Sequence, residues 1–270
     1  MENCCQSCVS RSFSADVTLR GRYNVWQETG REKVIALAGN PNVGKTTVFN
    51  SLTGMRQHTG NWPGKTVTQA QGRFVHDDHS FLLVDLPGTY SLLAHSTDEQ
   101  VARDFICFGR PDATIVVVDA TCLARNLNLA LQVMEITNKV VLCVNLLDEA
   151  ESKGIRIDLE ALSEKLGVPV VGTAARSGRG LDALKEALCR VATGQVAPAP
   201  LAVAYDEEVR AAMEQLLPRL EPLLQALPHL NPRWVAMRLL DGDEQFLDSL
   251  TEHTGAGQPE AKEEVLLCPQ

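Results

Sequence analysis

Eight consecutive residues, Gly39-Asn40-Pro41-Asn42-Val43-Gly44-Lys45-Thr46, have the spacing G-x-x-x-x-G-K-[ST], which suits the holding of a polyphosphate. Glycines let the backbone curl so that successive N–H groups, those of Val43 and Gly44 among them, face phosphate oxygens. A helix beginning there adds the positive end of its dipole. Lys45 is expected to reach the β- and γ-phosphates, and the Thr46 hydroxyl to ligate Mg²⁺. Asn40, Asn42 and Thr47 complete the candidate nucleotide-binding set of this loop.

Three further motifs follow in order. Gly60-Asn61-Trp62-Pro63-Gly64-Lys65-Thr66-Val67 is rich in glycine and carries Thr66, a hydroxyl that can close over Mg²⁺ when a γ-phosphate is present and release afterwards. Trp62 reads more readily as packing than as function. Asp85-Leu86-Pro87-Gly88 has the D-x-x-G form, with Asp85 holding Mg²⁺ through water and the Gly88 N–H sensing the γ-phosphate. Asn145-Leu146-Leu147-Asp148 has the form N-x-x-D. A carboxylate at Asp148 accepts from guanine N1–H and the N2 amine together, a donor pair that adenine lacks. The order of the four motifs is that of a Ras-like GTPase domain taking GTP and GDP.

These motifs need a frame that brings them together. Short apolar runs at 34–38, 80–84, 114–118, 140–144 and 168–171 are bounded by Gly, Asp, Asn or Pro and read as strands buried on both faces. Helical patterns over 45–52, 98–108, 123–136, 159–166 and 181–192 alternate with them, which implies a mostly parallel sheet covered on both sides. Residues 67–75 and 80–84, joined through His76-Asp77-Asp78-His79, read as a hairpin that adds one antiparallel edge strand. The fold class is therefore α/β, and the motifs fall at strand ends, with Asn145–Asp148 at the carboxyl edge, where open sheets of this kind bind ligands. Ala197-Pro198-Ala199-Pro200 marks a linker. Beyond it, 207–227, 232–240 and 244–250 read as a small all-α domain, with Pro218 and Pro222 expected to break or kink its first helix. The expected division is an extension 1–32, flexible except for one strand or turn near 17–25, a nucleotide domain 33–194, a helical domain 195–260 and a disordered tail 261–270.

Composition bounds the rest. The chain has 270 residues, 44% apolar and 22% charged, enough to bury a core. Lys and Arg number 25 against 34 Asp and Glu, a net charge of -9, which argues against a nucleic-acid surface. No apolar run approaches the ~20 residues that cross a bilayer. The start lacks the order of a signal peptide, so the eight cysteines read as reduced thiols. Cys4, Cys5 and Cys8 have no second pair nearby to complete a zinc site. His76-x-x-His79 reads as solvated turn residues, and the sequence suggests no iron site.

Asn40-Pro41-Asn42, Asn61-Trp62-Pro63-Gly64 with Thr66-Val67, and Asp85-Leu86-Pro87-Gly88-Thr89-Tyr90-Ser91-Leu92 resemble the amino-terminal region of FeoB, the bacterial ferrous iron transporters. Arg233-Trp234-Val235-Ala236-Met237-Arg238-Leu239-Leu240-Asp241-Gly242-Asp243 resembles the end of that family's helical domain, so the likeness covers roughly 33–250. The resemblance implies a GTPase module on the cytoplasmic face of the bacterial inner membrane, coupled to a membrane permease portion that this sequence does not include. It implies K⁺ as a cofactor beside Mg²⁺, with Asn42 and the backbone near Gly60 and Trp62 as its ligands. Thr89 stands where related GTPases carry a water-orienting glutamine, so intrinsic turnover is expected to be slow. Leu146 replaces the family's methionine. Thr173-Ala174-Ala175 replaces its Ser-Ala loop, leaving backbone N–H groups to meet guanine O6. Self-association is left open. The motifs alone also allow a ribosome- or RNA-associated assembly GTPase, or a binding module that scarcely hydrolyses.

Overall fold

The computed structural model describes residues 21–25, 27, 32–55, 57–93, 96–225 and 227–254. The apolar runs form β1 (Lys33–Gly39), β4 (His79–Asp85), β5 (Ala113–Asp119), β6 (Val140–Asn145) and β7 (Val170–Gly172), all parallel. β3 (Thr68–His76) pairs antiparallel with β4 through a two-residue turn in which Asp77 and Asp78 have φ of 45° and 59°, the left-handed pair that a tight hairpin requires. The sheet runs β2-β3-β4-β1-β5-β6-β7, where β2 (Gln57–Asn61) is a further antiparallel edge strand that the apolar pattern does not signal.

Both faces of the sheet are covered, which explains the unbroken apolar runs. Ile35 and Leu37 of β1 pack toward α1 (Lys45–Thr53) and α6 (Leu181–Ala192), while Val34, Ala36 and Ala38 pack toward α2 (Thr97–Phe108) and α3 (Leu123–Ile136). Two shorter helices, α4 (Leu147–Ser152) and α5 (Leu159–Leu166), follow β6. Ser96 caps α2 by accepting from the Glu99 N–H at 3.2 Å, with Asp98 and Glu99 in the first turn where the helix dipole favours them.

The helical part consists of α7 (Glu207–Leu224), α8 (Pro232–Leu240) and α9 (Glu244–Thr254). Its Trp234, Phe246 and Leu250 join the same buried cluster as Phe105 and Phe108 of α2. The expected break in the first of these helices does not occur: α7 runs through Pro218 and Pro222. Met213, Leu216, Leu220 and Leu224 hold it by a buried stripe, while Glu214, Pro218 and Pro222 face solvent, where water can serve the two carbonyls the prolines leave without donors.

Residues 21–24 form a turn closed by the Asn24 N–H on the Gly21 carbonyl, and this stretch of the expected flexible extension is packed against the nucleotide domain. Residues 17–20, the tail 261–270 and Cys4, Cys5, Cys8 and Cys268 lie outside the described residues. Cys107, Cys143 and Cys189 are buried free thiols and Cys122 an exposed one. Among the described residues, no helix is long and apolar enough to cross a membrane.

Candidate functional site

Parallel register sets the strand ends side by side: Leu37 opposite Asp85, Gly39 opposite Val117, Asp119 opposite Asn145, Val144 opposite Gly172. The loops after β1, β4, β6 and β7 therefore share one edge.

The phosphate loop is wedged in place. A Cβ on Gly39 would stand 2.7 Å from the Val117 carbonyl, and one on Gly44, at φ +78°, would stand 2.4 Å from Asn145 Nδ2. Both positions need glycine on space, and Gly44 on conformation as well. Asn42 is exposed with φ 66°. Asn40 is buried, and its Oδ1 has no partner among the described residues. Thr46 and Thr47 are exposed in the first turn of α1. Lys45 Nζ donates to the Leu86 carbonyl at 2.7 Å and forms an ion pair with Asp85. Burial pushes the Asp85 carboxyl above its usual range, against the pull of the Lys45 ammonium.

The D-x-x-G segment touches this loop directly. The Leu86 N–H donates to the Leu37 carbonyl at 3.0 Å, and the Thr89 N–H to that of Gly39 at 3.3 Å. Gly88 lies against Pro41, which a Cβ would meet at 3.5 Å. Thr89 is buried.

Asn145 joins the loop after β1 to the loop after β7. It is 1% exposed, donates from Nδ2 to the Val43 carbonyl at 3.0 Å, and accepts at Oδ1 from the Thr173 hydroxyl at 3.0 Å and the Ala175 N–H at 3.1 Å. Asp148 is exposed in the first turn of α4, after Leu146 at φ 62°. It is not the cap of that helix, a position Leu146 takes. The Ala174 and Ala175 amides, expected at guanine O6, are engaged here, Ala174 with the Arg179 carbonyl at 3.0 Å and Ala175 with Asn145. The hydroxyl of buried Thr173 faces Asn145, so Thr173 orients that side chain. Two residues with no sequence signal also shape this end. Ser51 Oγ donates to the Ala175 carbonyl at 3.1 Å, and Arg179 grips Glu151 through two bonds of 2.7 and 2.9 Å near Asp148.

The Thr66 loop is a type II turn, Trp62-Pro63-Gly64-Lys65, with Gly64 at φ +67°. The Trp62 N–H donates to the Val67 carbonyl at 2.9 Å and the Lys65 N–H to the Trp62 carbonyl at 3.0 Å. Residues 63–66 are exposed, and no hydrogen bond joins Thr66 to Thr46 or Asp85 among the described residues. Trp62 is a core residue, 2% exposed. His76 meets Glu186 of α6 at 3.3 Å and Asp77 at 3.6 Å, at the opposite end of β4 from Asp85, so it is paired where a solvated turn was expected. A cleft of about 600 Å³, lined by Asp112, Lys139, Tyr205 and Trp234 among others, also lies away from the motif edge.

A mostly parallel sheet with a phosphate loop after β1 and N-x-x-D after β6 defines a Ras-like P-loop domain, here followed by helices. Residues 33–188 match the family model described as "Ferrous iron transport protein B", and residues 205–267 match "FeoB cytosolic helical domain". The chain belongs to the FeoB family. The Fe(2+) transporter FeoB of Escherichia coli (strain K12) is 42% identical over 221 residues, covering 79% of this chain and 27% of that protein. The FeoB of Salmonella typhimurium is 42% identical over 217 residues, with the same coverage. The chain thus spans about a quarter of the length of these relatives, 27% in each. The cytosolic domain of T. maritima FeoB in a GDP form superposes with TM-score 0.73 at 38% identity, over 84% of this chain and 86% of that one. Its GMPPNP form gives 0.72 at 37%, over 87% and 90%. The cytosolic domain of L. pneumophila FeoB gives 0.70 at 33%, over 87% and 97%.

Proposed function

We propose that this chain binds GTP and hydrolyses it to GDP and phosphate, as the regulatory module of a ferrous iron transporter. The observation that carries this reading is Asn145. One buried side chain bonded to Val43, Thr173 and Ala175 holds the phosphate loop and the Asp148 loop in one frame, so that a single nucleotide can span both. The GDP and GMPPNP forms of the T. maritima relative support the same ligand class.

Phosphate binding requires Lys45 to leave Asp85 for the β- and γ-phosphates. The half-buried carboxylate then needs another cation, which fits Mg²⁺ held by the Thr46 hydroxyl, by Asp85 through water, and by Thr66 when its loop closes. Asn42, exposed beside the phosphate path, with backbone oxygens of 60–62, is the donor set for K⁺; the Trp62 carbonyl already accepts one bond from Lys65. Bound there, K⁺ supplies positive charge where negative charge develops in phosphoryl transfer. The chain's own groups do the remaining work. The loop N–H groups and Lys45 orient the triphosphate, and the Gly88 N–H meets the γ-phosphate. Thr89, buried with its N–H on the Gly39 carbonyl, is too short and too enclosed to aim a water, so on this reading intrinsic turnover is slow. Through the helical part, the nucleotide state would pass to a membrane permease. The assembly-GTPase alternative is disfavoured by the net charge of -9.

Steady-state phosphate release tests this. GTP turnover is expected to exceed ATP turnover and to rise in potassium over matched sodium buffer, with the rise lost in Asn42→Ala. Equal use of ATP would refute the guanine assignment, and indifference to the cation would remove the potassium role.

A further inference from the structure

Residues 21–25 precede the first family-matched stretch, and no nucleotide motif uses them. Their backbone is fastened to β3, where Gln69 Nε2 donates to the Tyr23 carbonyl at 2.9 Å and Gln71 Nε2 to the Asn24 carbonyl at 2.6 Å. Both glutamines are buried, where amides require partners. This seats the Tyr23 ring between three elements. It meets Trp62 edge-on at 6.4 Å and Phe105 of α2 at 5.6 Å, and stacks on His253 of α9 at 6.2 Å and 11°. Its hydroxyl lies 3.3 Å from the Asp104 carbonyl and 3.3 Å from His253 Nε2. His253 Nδ1 faces the Ser249 carbonyl at 2.8 Å and donates there, which leaves Nε2 as the ring atom facing the Tyr23 hydroxyl.

The rings continue from His253 to Phe108 at 4.1 Å, and from there to Phe246 and Trp234 in the helical part. A polar line runs beside them: Lys65 Nζ donates to Gln100 Oε1 at 3.1 Å, and Gln100 Nε2 to Gln245 Oε1 of α9. Trp62 is the base of the turn that presents Thr66. Its indole Nε1 is buried without a hydrogen-bond partner among the described residues, so ring contacts with Tyr23 and Phe105 hold the indole in place.

We propose that Tyr23 is a positioning residue that couples the Thr66 loop to α9, because the Trp62 ring cannot shift unless Tyr23, and with it His253, shifts too. Close-packed interiors do not deform continuously, so a change of the loop is passed on as a repacking of the rings. The inference rests on the reading of Thr66 as the residue that closes on a triphosphate.

Hydrogen exchange of the whole chain, free and with GDP or GMPPNP in Mg²⁺, tests it. In the unaltered protein GMPPNP is expected to slow exchange over 62–67 and over 244–254 together. In Tyr23→Ala the loop still responds and α9 no longer does, and without nucleotide both segments exchange about tenfold faster. Tyr23→Phe, which keeps the ring, retains the α9 response. An α9 response in Tyr23→Ala equal to that of the unaltered protein would overturn the proposal. If GMPPNP fails to bind, the nucleotide reading falls. The nucleotide-free arm then decides: a joint rise supports the coupling, and unchanged rates refute it. If Tyr23→Ala loses protection in β1 and β5 as well, His253→Ala approaches the seam from the other side, and a loop 62–67 left unchanged by it would overturn the proposal.

Discussion

The loop 39–45 and the loop 62–67 belong to the same candidate site, yet the first is held from several sides and the second mainly at its base. Val117, Thr89 and Asn145 pin the phosphate loop through backbone contact or hydrogen bonds, and α1 continues it. The Thr66 loop has two internal backbone bonds, a buried tryptophan and one exposed tether, Lys65 to Gln100 of α2. The backbone of the first can meet a charge without reorganising, only the Lys45 side chain having to turn from Asp85, which is close to what preorganised phosphate binding needs. The second can change state at low cost, which is what a sensor of the third phosphate needs.

Four substitutions break or sharpen this contrast. Lys45→Ala removes the ammonium proposed to reach the phosphates. Titration calorimetry should find triphosphate affinity down about a thousandfold, and unaltered affinity would make the loop structural. Asp148→Asn inverts the hydrogen-bond polarity at the base. GTP affinity should fall about a hundredfold while xanthine nucleotide becomes a ligand, and undiminished GTP binding would sink the guanine assignment. Gly44→Ala forces a Cβ against Asn145 in a left-handed backbone, so urea unfolding should show a loss of about 2 kcal/mol. A neutral result would mean that the loop is less fixed than its packing indicates. Thr66→Ala, on the mobile side, should leave GDP affinity unchanged and weaken GMPPNP about tenfold in Mg²⁺. Equal loss for both nucleotides would remove its switch role.

The same contrast governed what could be read in advance. β1, β4, β5 and β6 were legible because strands buried on both faces leave unbroken apolar runs, and the motifs were legible because their spacing carries the chemistry. β2 was not, since Thr59, Gly60 and Asn61 lie exposed on a sheet edge and leave no apolar trace. Pro218 and Pro222 suggested a break because local propensity outweighs a buried stripe until the stripe's partner is known. The engagement of the Ala175 amide by Asn145, and the meeting of Tyr23 with His253, depend on contacts between distant segments, which no local pattern encodes.

The linker holds one more consequence. Gly167 ends α5 at φ +68°, where a Cβ would stand 1.9 Å from the Ala199 carbonyl, and the Ala199 and Leu201 N–H groups donate to the Gly167 and Leu166 carbonyls. The connecting segment is thus zipped down as far as Leu201, and residues 202–206, held once more by the Tyr205 hydroxyl on Glu135 of α3, form the leash before α7. Such a leash reaches about 17 Å at full extension. It keeps the helical part at an effective concentration on the order of millimolar over its own seat. Separation of the two parts is then a brief local excursion followed by recapture, and how often it happens is set by the contacts at the seat.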